Sequence, residues 1–273
     1  MLKQISNSKV VFAGAGPGDP DLITVKTLKY LQTADVVVVD RLVDQSLLSQ
    51  AKLGAKIFFV GKEAGNSNSF SQEAINELLV SEARISNVVL RLKGGDVSFF
   101  SNLLSELDFL VVNNISFEII PGVTAASGAA AYAGIPLTAR GLSNSVRFLT
   151  YTHPELIDEP QIRELSTTDD TLVFYMSVKT LPNLVTRLLN QNICREKWVA
   201  VVEQASTPFQ KTFAAPIGEF IETQGQNFKS PSIVIIGKVA RLHAKFGWYK
   251  SGSEDENFFP SVSEHYLKTA KVA

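Results

Sequence analysis

Short, continuously apolar segments that alternate with helical stretches constrain the fold of this chain most strongly. Residues 36–39 are all valine, which is typical of a strand covered on both faces of a sheet. Similar segments recur, and apolar residues at helical spacing separate them. This alternation predicts an α/β fold with a largely parallel sheet. The predicted strands of the first half are 9–14, 36–39, 57–60, 88–92 and 117–120, and the predicted helices are 22–34, 72–84 and 103–113.

Pro121-Gly122 interrupts this pattern and predicts a domain boundary. The small residues from 124 to 133 predict a helix that can approach a backbone or a ligand closely. A second series of strands then follows, predicted at 146–150, 171–175, 198–202 and 232–236. We expect two α/β domains with mostly parallel sheets in tandem, a cofactor in the cleft between them, and a polar tail. The expected ranges are 1–122, 123–248 and 249–273.

Composition excludes several classes of protein. The 273 residues are 45% hydrophobic, which is too apolar for a disordered chain, and a net charge of -1 argues against nucleic-acid or membrane-surface binding. The single cysteine, Cys194, cannot form an internal disulfide and has no metal-ligand spacing around it, so no metal is expected. Residues 1–9 lack the apolar stretch of a signal peptide, and no run reaches the ~18 apolar residues of a membrane span. A cytoplasmic location is the expectation.

A glycine-rich loop follows the first predicted strand, from Gly14 to Asp21. Such loops often let a pyrophosphate approach a helix N-terminus. Here the spacing is GxGxG, Pro17 removes a backbone donor, and Asp19 and Asp21 place negative charge where phosphates would lie. The loop therefore favours a ligand without phosphates, and a plain structural turn remains the alternative.

Taken together with five later motifs, this loop resembles the tetrapyrrole methylases, the class III S-adenosylmethionine-dependent methyltransferases. The resemblance covers residues 9–248. It implies C-methylation of uroporphyrinogen III by S-adenosylmethionine, in two transfers giving precorrin-2 and S-adenosylhomocysteine, on the route to sirohaem or cobalamin. It also implies a homodimer. The motifs lie at 11–24, 35–43, 60–65, 91–96, 121–128 and 131–138.

The resemblance also implies which residues form the site. Asp40 is the candidate proton acceptor and Lys62 the candidate proton donor, and a surface ion pair of Asp40 with Arg41 beside a solvated Lys62 is the alternative. A porphyrinogen with eight carboxylates needs cationic partners. The candidates are Arg41, Lys62, Lys93, Arg140, Arg147 and Lys211, of which Arg41, Lys93 and Arg140 are the predicted substrate-binding residues. The implied cofactor-binding residues are Pro17, Gly94, Gly95, Asp96, Phe99, Thr124, Ala125, Met176 and Ala205.

Residue chemistry gives some of these positions a second explanation. Asp96 can accept hydrogen bonds from the cofactor's ammonium, but an aspartate at this place can equally cap a helix. Met176 can be ordinary core packing. These alternatives stay open from the sequence alone.

The chain departs from the family pattern after the Gly-Gly-Asp loop. Asn102 stands where the family has arginine, and Leu103-Leu104 replace a glycine pair with good helix formers. Thr138-Ala-Arg140 replaces the usual Thr-His-Arg. A stiffer and less basic loop is expected, which bears on the substrate rather than on the cofactor. Alternative functions are methylation of a later corrin intermediate, non-catalytic cofactor binding, and a nicotinamide-dependent oxidoreductase.

Overall fold

The structure is a computed structural model of the chain. It describes residues 8–61, 70–220, 228–250, 252 and 257–259. They form two compact units, one made of the described residues up to Ala125 together with Phe259, and the other of those from Ala126 to Phe258. The predicted boundary after Gly122 lies three residues before this division, and residues predicted as a tail from 249 onward begin inside the second unit.

The first unit contains a five-stranded sheet in which every pairing is parallel, with strand order β3-β2-β4-β1-β5. The prediction of an α/β fold is confirmed here strand by strand. Its strands are β1 Lys9–Gly14, β2 Val36–Val39, β3 Lys56–Phe59, β4 Val88–Lys93 and β5 Ser116–Ile120. Its helices are α1 Val25–Leu31, α2 Gln72–Ala83 and α3 Leu103–Val112, while α4 Ala125–Ala133 leads into the second unit.

Both faces of the sheet are buried at β2, as its valines predict. Val36 and Val38 pack into a core with α2 and α3, whereas Val37 and Val39 pack into a second core that includes Leu31 of α1. Alternation of side chains along a strand divides the four valines between the two cores. A strand without polar positions is therefore suited to the centre of this unit.

The loops after β1 and β4 leave their neighbouring strands towards opposite faces of the sheet. The chain after β1 enters α1, which contributes to one core, and the chain after β4 enters α3, which contributes to the other. Strands β1 and β4 are paired side by side up to Gly14 and Lys93. In open parallel sheets, ligands bind in the crevice that opens where adjacent loops diverge in this way. The glycine loop and the Gly-Gly-Asp loop both lie at this point.

The second unit contains a mixed sheet of order β6-β7-β10-β8-β9. Only β6 and β7 pair in parallel; the other three pairings are antiparallel, so the prediction of a mostly parallel second sheet is wrong. The strands are β6 Val146–Thr150, β7 Thr171–Tyr175, β8 Trp198–Glu203, β9 Lys211–Pro216 and β10 Ser232–Gly237. The helices are α5 Glu159–Thr167, α6 Leu181–Asn190 and α7 His243–Phe246.

One of the three antiparallel pairings involves β9, which the sequence pattern did not reveal. Its sequence contains two alanines and ends in a proline, and such residues are depleted in strands. Once β9 is recognised, the short connection over residues 204–210 requires an antiparallel pairing with β8, because a parallel crossover needs about a dozen residues or more.

None of the helices among the described residues is long and apolar enough to cross a membrane.

A cluster of charged groups ties α1 to two strands of the first sheet. Glu118 of β5 pairs with Lys9 of β1 at 2.7 Å and with Lys26 of α1 at 2.6 Å. The Tyr30 hydroxyl donates to the same carboxylate over 2.6 Å. Hydrogen bonds from Lys26, Lys9 and Tyr30 lower the pKa of Glu118 to about 2 from its ordinary value of 4.5.

A folded-state pKa below the unfolded value means that Glu118 stabilises the protein above about pH 4.5 and that this contribution is lost between about pH 4.5 and pH 2. Glu118→Gln should therefore lower the unfolding free energy at neutral pH and flatten its pH dependence in this window. Urea titrations between pH 2.5 and 7 measure the effect. The matched control is Glu77→Gln, at an exposed position of α2. Equal pH slopes for Glu118→Gln and wild type would contradict the prediction.

Candidate functional site

Three glycines from different loops make direct backbone contact at the carboxyl edge of the first sheet. A Cβ atom added to Gly14 would lie 2.4 Å from the Gly95 oxygen, and one added to Gly122 would lie 2.3 Å from the same atom. Such distances are too short for any side chain. Gly95 also has a φ of 69°, in the left-handed region that favours glycine. We call Gly14, Gly95 and Gly122 the glycine junction.

Asp96 closes this junction from one side. Its Oδ2 atom accepts a hydrogen bond of 2.7 Å from the Gly122 amide, and its Oδ1 atom accepts one of 2.7 Å from the Ser98 amide. The side chain is buried. Asp96 therefore holds the loop after β4 against the loop after β5, whether or not its carboxylate also meets a ligand. Its predicted contact with the cofactor's ammonium stays a prediction.

Several other predicted cofactor positions surround the glycine junction. Gly16 and Gly95 exchange backbone hydrogen bonds of 3.2 and 2.7 Å, which places the buried Pro17 beside the Gly-Gly-Asp loop. The Ala125 amide lies 3.5 Å from the Cβ position of Gly95, at the start of α4 and next to Thr124. Phe99 donates its amide to the Asp96 carbonyl in a turn. In the first unit, the structure thus gathers residues that are up to about one hundred positions apart in sequence.

Gly94 has a structural role that the sequence did not reveal. A Cβ atom there would lie 2.4 Å from the Leu42 oxygen, so glycine is needed for the loop after β2 to pack against β4. The loop that follows Asp40 is thereby fixed beside the Gly-Gly-Asp loop. Ligand binding by Gly94 stays a prediction.

A buried carboxylate lies behind these loops. Glu106 of α3 binds Lys93 Nζ with both oxygens at 3.1 Å and Arg91 Nε at 3.3 Å, and all three side chains are almost fully buried. Gln72 of α2 donates to the same carboxylate over 3.4 Å. Removing one member of such a cluster leaves an unpaired buried charge, which is strongly destabilising.

The contacts of Lys93 in this cluster favour a structural role over the predicted binding of substrate. Burial, followed by the positive charge of Arg91, lowers the pKa of Lys93, and the negative charges of Glu106 and Asp40 oppose this shift. An ammonium group held by Glu106 inside the protein is poorly placed to bind substrate carboxylates. The geometry favours a structural role for Lys93, with Asp40 close enough to interact with its charge.

Asp40 follows β2 at the carboxyl edge of the sheet and is half-buried. Its amide donates to Leu92 over 3.0 Å, and its Oδ1 atom accepts a bond of 3.2 Å from the Arg41 amide. The Arg41 Nε atom is buried and has no hydrogen-bond partner among the residues that the structure describes. A Cβ atom on Gly61 would lie 2.8 Å from the Arg41 Cβ atom, so these two segments pack tightly. Lys62, the next residue, lies outside the described residues.

Met176 and Ala205 follow strands of the second sheet that run in the same direction. Strands β7 and β8 both pair with β10 in antiparallel orientation, through Tyr175 and Val202 opposite Ile233. Their carboxyl ends therefore meet the same sheet edge, with one strand between them. Met176 is exposed at that edge, which rules out core packing as its explanation, and Ala205 is buried.

Backbone strain concentrates at these positions. Met176 has a φ of 52°, and Gln204 and Ser206, on either side of Ala205, have φ values of 46° and 60°. Residues with side chains avoid this left-handed region at a cost of about 1–3 kcal/mol, and such outliers cluster at ligand sites. The sequence pattern gave no sign of this strain.

Arg140, another of the cationic candidates, is exposed in a turn that backbone bonds between Ala139 and Ser143 close. Arg147 differs from it, because its guanidinium pairs with Asp170 and Glu164. Arg140 is therefore the better placed of the two to meet an anionic ligand.

The loop that departs from the family pattern adopts a bent conformation. Phe100 and Asn102 have φ values of 50° and 56°, and α3 begins at Leu103 as its helix-forming residues predict. Phe100 and Leu104 are exposed, at 44% and 72%. Glu106, four residues into α3, was missed as a site residue, although its place after the Gly-Gly-Asp loop was a usable signal.

The described residues contain no group of three or more His, Cys, Asp or Glu side chains arranged to hold a metal ion.

Comparisons with known proteins match this geometry to one family. The family model of the tetrapyrrole (corrin/porphyrin) methylases matches residues 9–221. A crystal structure of uroporphyrin-III C-methyl transferase from Thermus thermophilus, complexed with S-adenyl homocysteine, is 34% identical, with a TM-score of 0.71. The match covers 86% of this chain and 99% of that one.

Two relatives have longer chains. A siroheme synthase of Psychrobacter cryohalolentis is 38% identical over 93% of this chain and 49% of its own length. The chloroplastic S-adenosyl-L-methionine-dependent uroporphyrinogen III methyltransferase of Arabidopsis thaliana is 42% identical over 85% of this chain and 64% of its own length. The chain thus spans about half the length of the first of these relatives and less than two thirds of the second.

The two hydrogen bonds of Asp96 at the glycine junction predict that substituting this residue lowers stability. Asp96→Asn leaves one acceptor oxygen for two part-buried amides, so either Gly122 or Ser98 loses its bond to a charged acceptor. We expect the unfolding free energy to fall by about 1.5–3 kcal/mol, the worth of one hydrogen bond to a charged group. Urea denaturation measures it. Asp108→Asn, at an exposed position of α3, is the control and should change stability by less than about 0.5 kcal/mol. Equal losses in both variants would show that Asp96 does not hold the junction.

Proposed function

Because the chain belongs to the tetrapyrrole (corrin/porphyrin) methylases, we propose that it transfers methyl groups from S-adenosylmethionine to carbon atoms of uroporphyrinogen III. Two transfers give precorrin-2, on the route to sirohaem or cobalamin. The relatives named for uroporphyrinogen III methylation are 34% and 42% identical to this chain and support this choice of acceptor over a later corrin intermediate. One observation supports the proposal most. The predicted cofactor positions of the first unit lie around the glycine junction, and in the second sheet Met176 and both neighbours of Ala205 have left-handed backbones.

The residues present fit a nucleoside cofactor that has no phosphates. In the glycine loop, Pro17 has no backbone N–H to donate. The Asp19 carboxylate accepts a hydrogen bond of 2.9 Å from the Asp21 amide and so caps the short helix Pro20–Leu22. Both aspartates would repel a pyrophosphate. The left-handed Gly95 gives both of its backbone groups to Gly16, so it holds the two loops together and leaves contacts with a cofactor to neighbouring residues. When bound, S-adenosylmethionine supplies an electrophilic methyl group.

The reaction requires the protein to position its two reactants and to accept a proton. An electron-rich pyrrole carbon attacks in line, so the protein contributes mainly by positioning the two reactants. Asp40, at the carboxyl edge of β2, is suited to accept the proton that the methylated carbon loses. Lys62 remains the proposed proton donor, and Arg41 and Arg140 the proposed partners of the substrate's carboxylates. The buried Lys93 is left to hold the cluster behind Asp40.

A cytoplasmic location and a homodimer belong to the same proposal. The single cysteine suits a reducing compartment. In the first unit, Val111 and Val112 of α3 are 60% and 78% exposed, and Phe117 and Ile119 of the edge strand β5 are each 40% exposed. Apolar side chains gathered at an open sheet edge support association with a second copy.

Sedimentation equilibrium tests the dimer. Wild type should sediment as a dimer, and Val112→Lys should shift the equilibrium towards the monomer because it places a charge in the apolar surface. Val25→Lys, at a 69% exposed position of α1, is the matched control. Fractionation of the source cells tests the location, and recovery in a membrane or extracellular fraction would contradict it.

Mass spectrometry of the tetrapyrrole product tests the main proposal. Incubation with uroporphyrinogen III and S-adenosylmethionine under anaerobic conditions should add two methyl groups. The bent loop at Phe100 to Leu104 should make the monomethylated intermediate visible early, and Asn102→Arg with Leu103→Gly and Leu104→Gly should change its level. No methylation of uroporphyrinogen III, with methylation of a later corrin intermediate, would transfer the assignment to that substrate.

Thermal shifts with S-adenosylhomocysteine and with NADH distinguish the proposed methyltransferase from an oxidoreductase and from a non-catalytic binding protein. S-adenosylhomocysteine at about 100 times its dissociation constant should add roughly 2.7 kcal/mol of stability, a rise in melting temperature of about 5 to 10 °C. NADH should give no shift. A shift with NADH alone would favour the oxidoreductase, and a shift with S-adenosylhomocysteine without turnover would favour a non-catalytic binding protein.

Asp40→Asn tests the proton acceptor. The variant keeps the shape of the side chain but removes its basic carboxylate, so turnover should fall by about 10²–10⁴-fold while affinity for S-adenosylhomocysteine changes little. Steady-state kinetics and calorimetry measure the two quantities. Asp44→Asn, in the same loop and capping Gln45–Gln50, is the control. A loss of less than about threefold would mean that Asp40 orients the substrate instead.

A further inference from the structure

The segment after α7 contacts the loop that carries Ala205. We call residues 204–210, between β8 and β9, the β8–β9 loop. The Tyr249 hydroxyl donates to the Thr207 carbonyl over 3.1 Å, and the Gly252 amide donates to the Pro208 carbonyl over 2.9 Å. Further along, the Phe258 amide donates to Gln204 Oε1 over 2.7 Å. The C-terminal residues thus bind this loop at three points.

An aromatic contact adds to these hydrogen bonds. The rings of Phe209 and Phe258 lie 6.2 Å apart at an angle of 53°. Aromatic pairs at this distance are attractive beyond the area that they bury. The sequence pattern had marked the segment only as polar and irregular, and its contacts depend on a few aromatic residues within it.

The β8–β9 loop needs external contacts because its own conformation is unfavourable. Gln204 and Ser206 are both left-handed, and neither is a glycine. The loop is nevertheless buried over Gln204 to Thr207. Its internal bonds include Ser206 to Gln210 Oε1 at 2.7 Å and Thr207 Oγ1 to the Gln204 carbonyl at 2.8 Å. A strained conformation persists only where the surroundings determine it, and here the C-terminal segment is part of those surroundings.

Trp248 and Tyr249, in the segment after α7, also contact the end of α4. Trp248 Nε1 donates to the Ala131 carbonyl over 2.8 Å, and the Tyr132 ring lies 5.4 Å from Trp248 and 4.9 Å from Tyr249. A Cβ atom on Gly134 would lie 2.1 Å from the Phe246 oxygen, so the end of α7 can pack against the end of α4 only because residue 134 is a glycine. Tyr249 is therefore fixed on one side by α4 while its hydroxyl binds the β8–β9 loop on the other.

We propose that Tyr249 and Phe258 are positioning residues for cofactor binding: they hold the β8–β9 loop in its left-handed geometry and so place Ala205 against S-adenosylmethionine. This inference rests on the proposed function and deepens it. The two side chains act through the loop and need not touch the cofactor. Their loss lets the loop relax from the binding geometry, so affinity falls while the chemical step, once the cofactor is bound, is unchanged.

Calorimetry with S-adenosylhomocysteine tests the proposal. Tyr249→Phe removes the hydroxyl but keeps the ring against Tyr132, and it should weaken binding by about three- to tenfold, the effect of one hydrogen bond. Adding Phe258→Leu should weaken binding further. In turnover assays, KM for S-adenosylmethionine should rise by the same factor, with kcat and KM for the tetrapyrrole unchanged. Tyr30→Phe is the matched control, since it removes a hydrogen-bonded hydroxyl from the first unit.

A rescue variant distinguishes positioning from general stability. Glycine adopts a φ of 60° without strain, so Ser206→Gly in the Tyr249→Phe background should restore most of the affinity. Binding of S-adenosylhomocysteine by Tyr249→Phe and the double variant as tightly as by wild type would overturn this inference alone. So would a fall in kcat with an unchanged KM. Failure of the wild type to bind S-adenosylhomocysteine would instead overturn the proposed function and the inference together.

Discussion

The close contact of Gly14, Gly95 and Gly122 is the constraint on which the first unit depends. Strands β1, β4 and β5 can end together only because no side chain separates their loops, and a Cβ atom on either outer glycine would collide with the Gly95 oxygen. Contact alone would not fix the loops, and Asp96 adds the hydrogen bonds that do. Gly95 and Asp96, which are proposed to bind the cofactor, therefore also have a structural role. Stability and affinity must both be measured to separate the two roles.

Behind this edge, the buried charges of Glu106, Arg91 and Lys93 connect α3 to β4. A buried ion cluster adds little net stability compared with apolar packing, but it penalises any arrangement in which its members lose one another. The position of α3 relative to β4 is thereby specified. Since Asp40 interacts with the charge of Lys93, the cluster also sets the electrostatic environment of the proposed proton acceptor.

Local pattern predicted much of the first unit, because its strands are apolar at nearly every position and helices separate them. The antiparallel pairings of the second sheet were not predictable in this way, since β9 carries weak strand residues and the direction of pairing depends on where the chain returns. The same limit applies to the site. Resemblance indicated the cofactor positions, but Glu106 and Tyr249 act through partners 13 and 42 residues away, and no local spacing reveals such contacts.

Both sheets have left-handed backbone conformations at the carboxyl edge, but different residues adopt them. In the first, the left-handed turn at the sheet edge belongs to Gly95, which adopts it without strain, and the sequence itself provides the geometry. In the second, Met176, Gln204 and Ser206 adopt the same region with side chains attached. Their conformation costs free energy that contacts elsewhere must offset. The conformation of Gly95 does not depend on distant contacts, whereas that of Met176, Gln204 and Ser206 does. Under the proposed function, distant residues can therefore change the affinity for the cofactor at the edge of the second sheet without touching it.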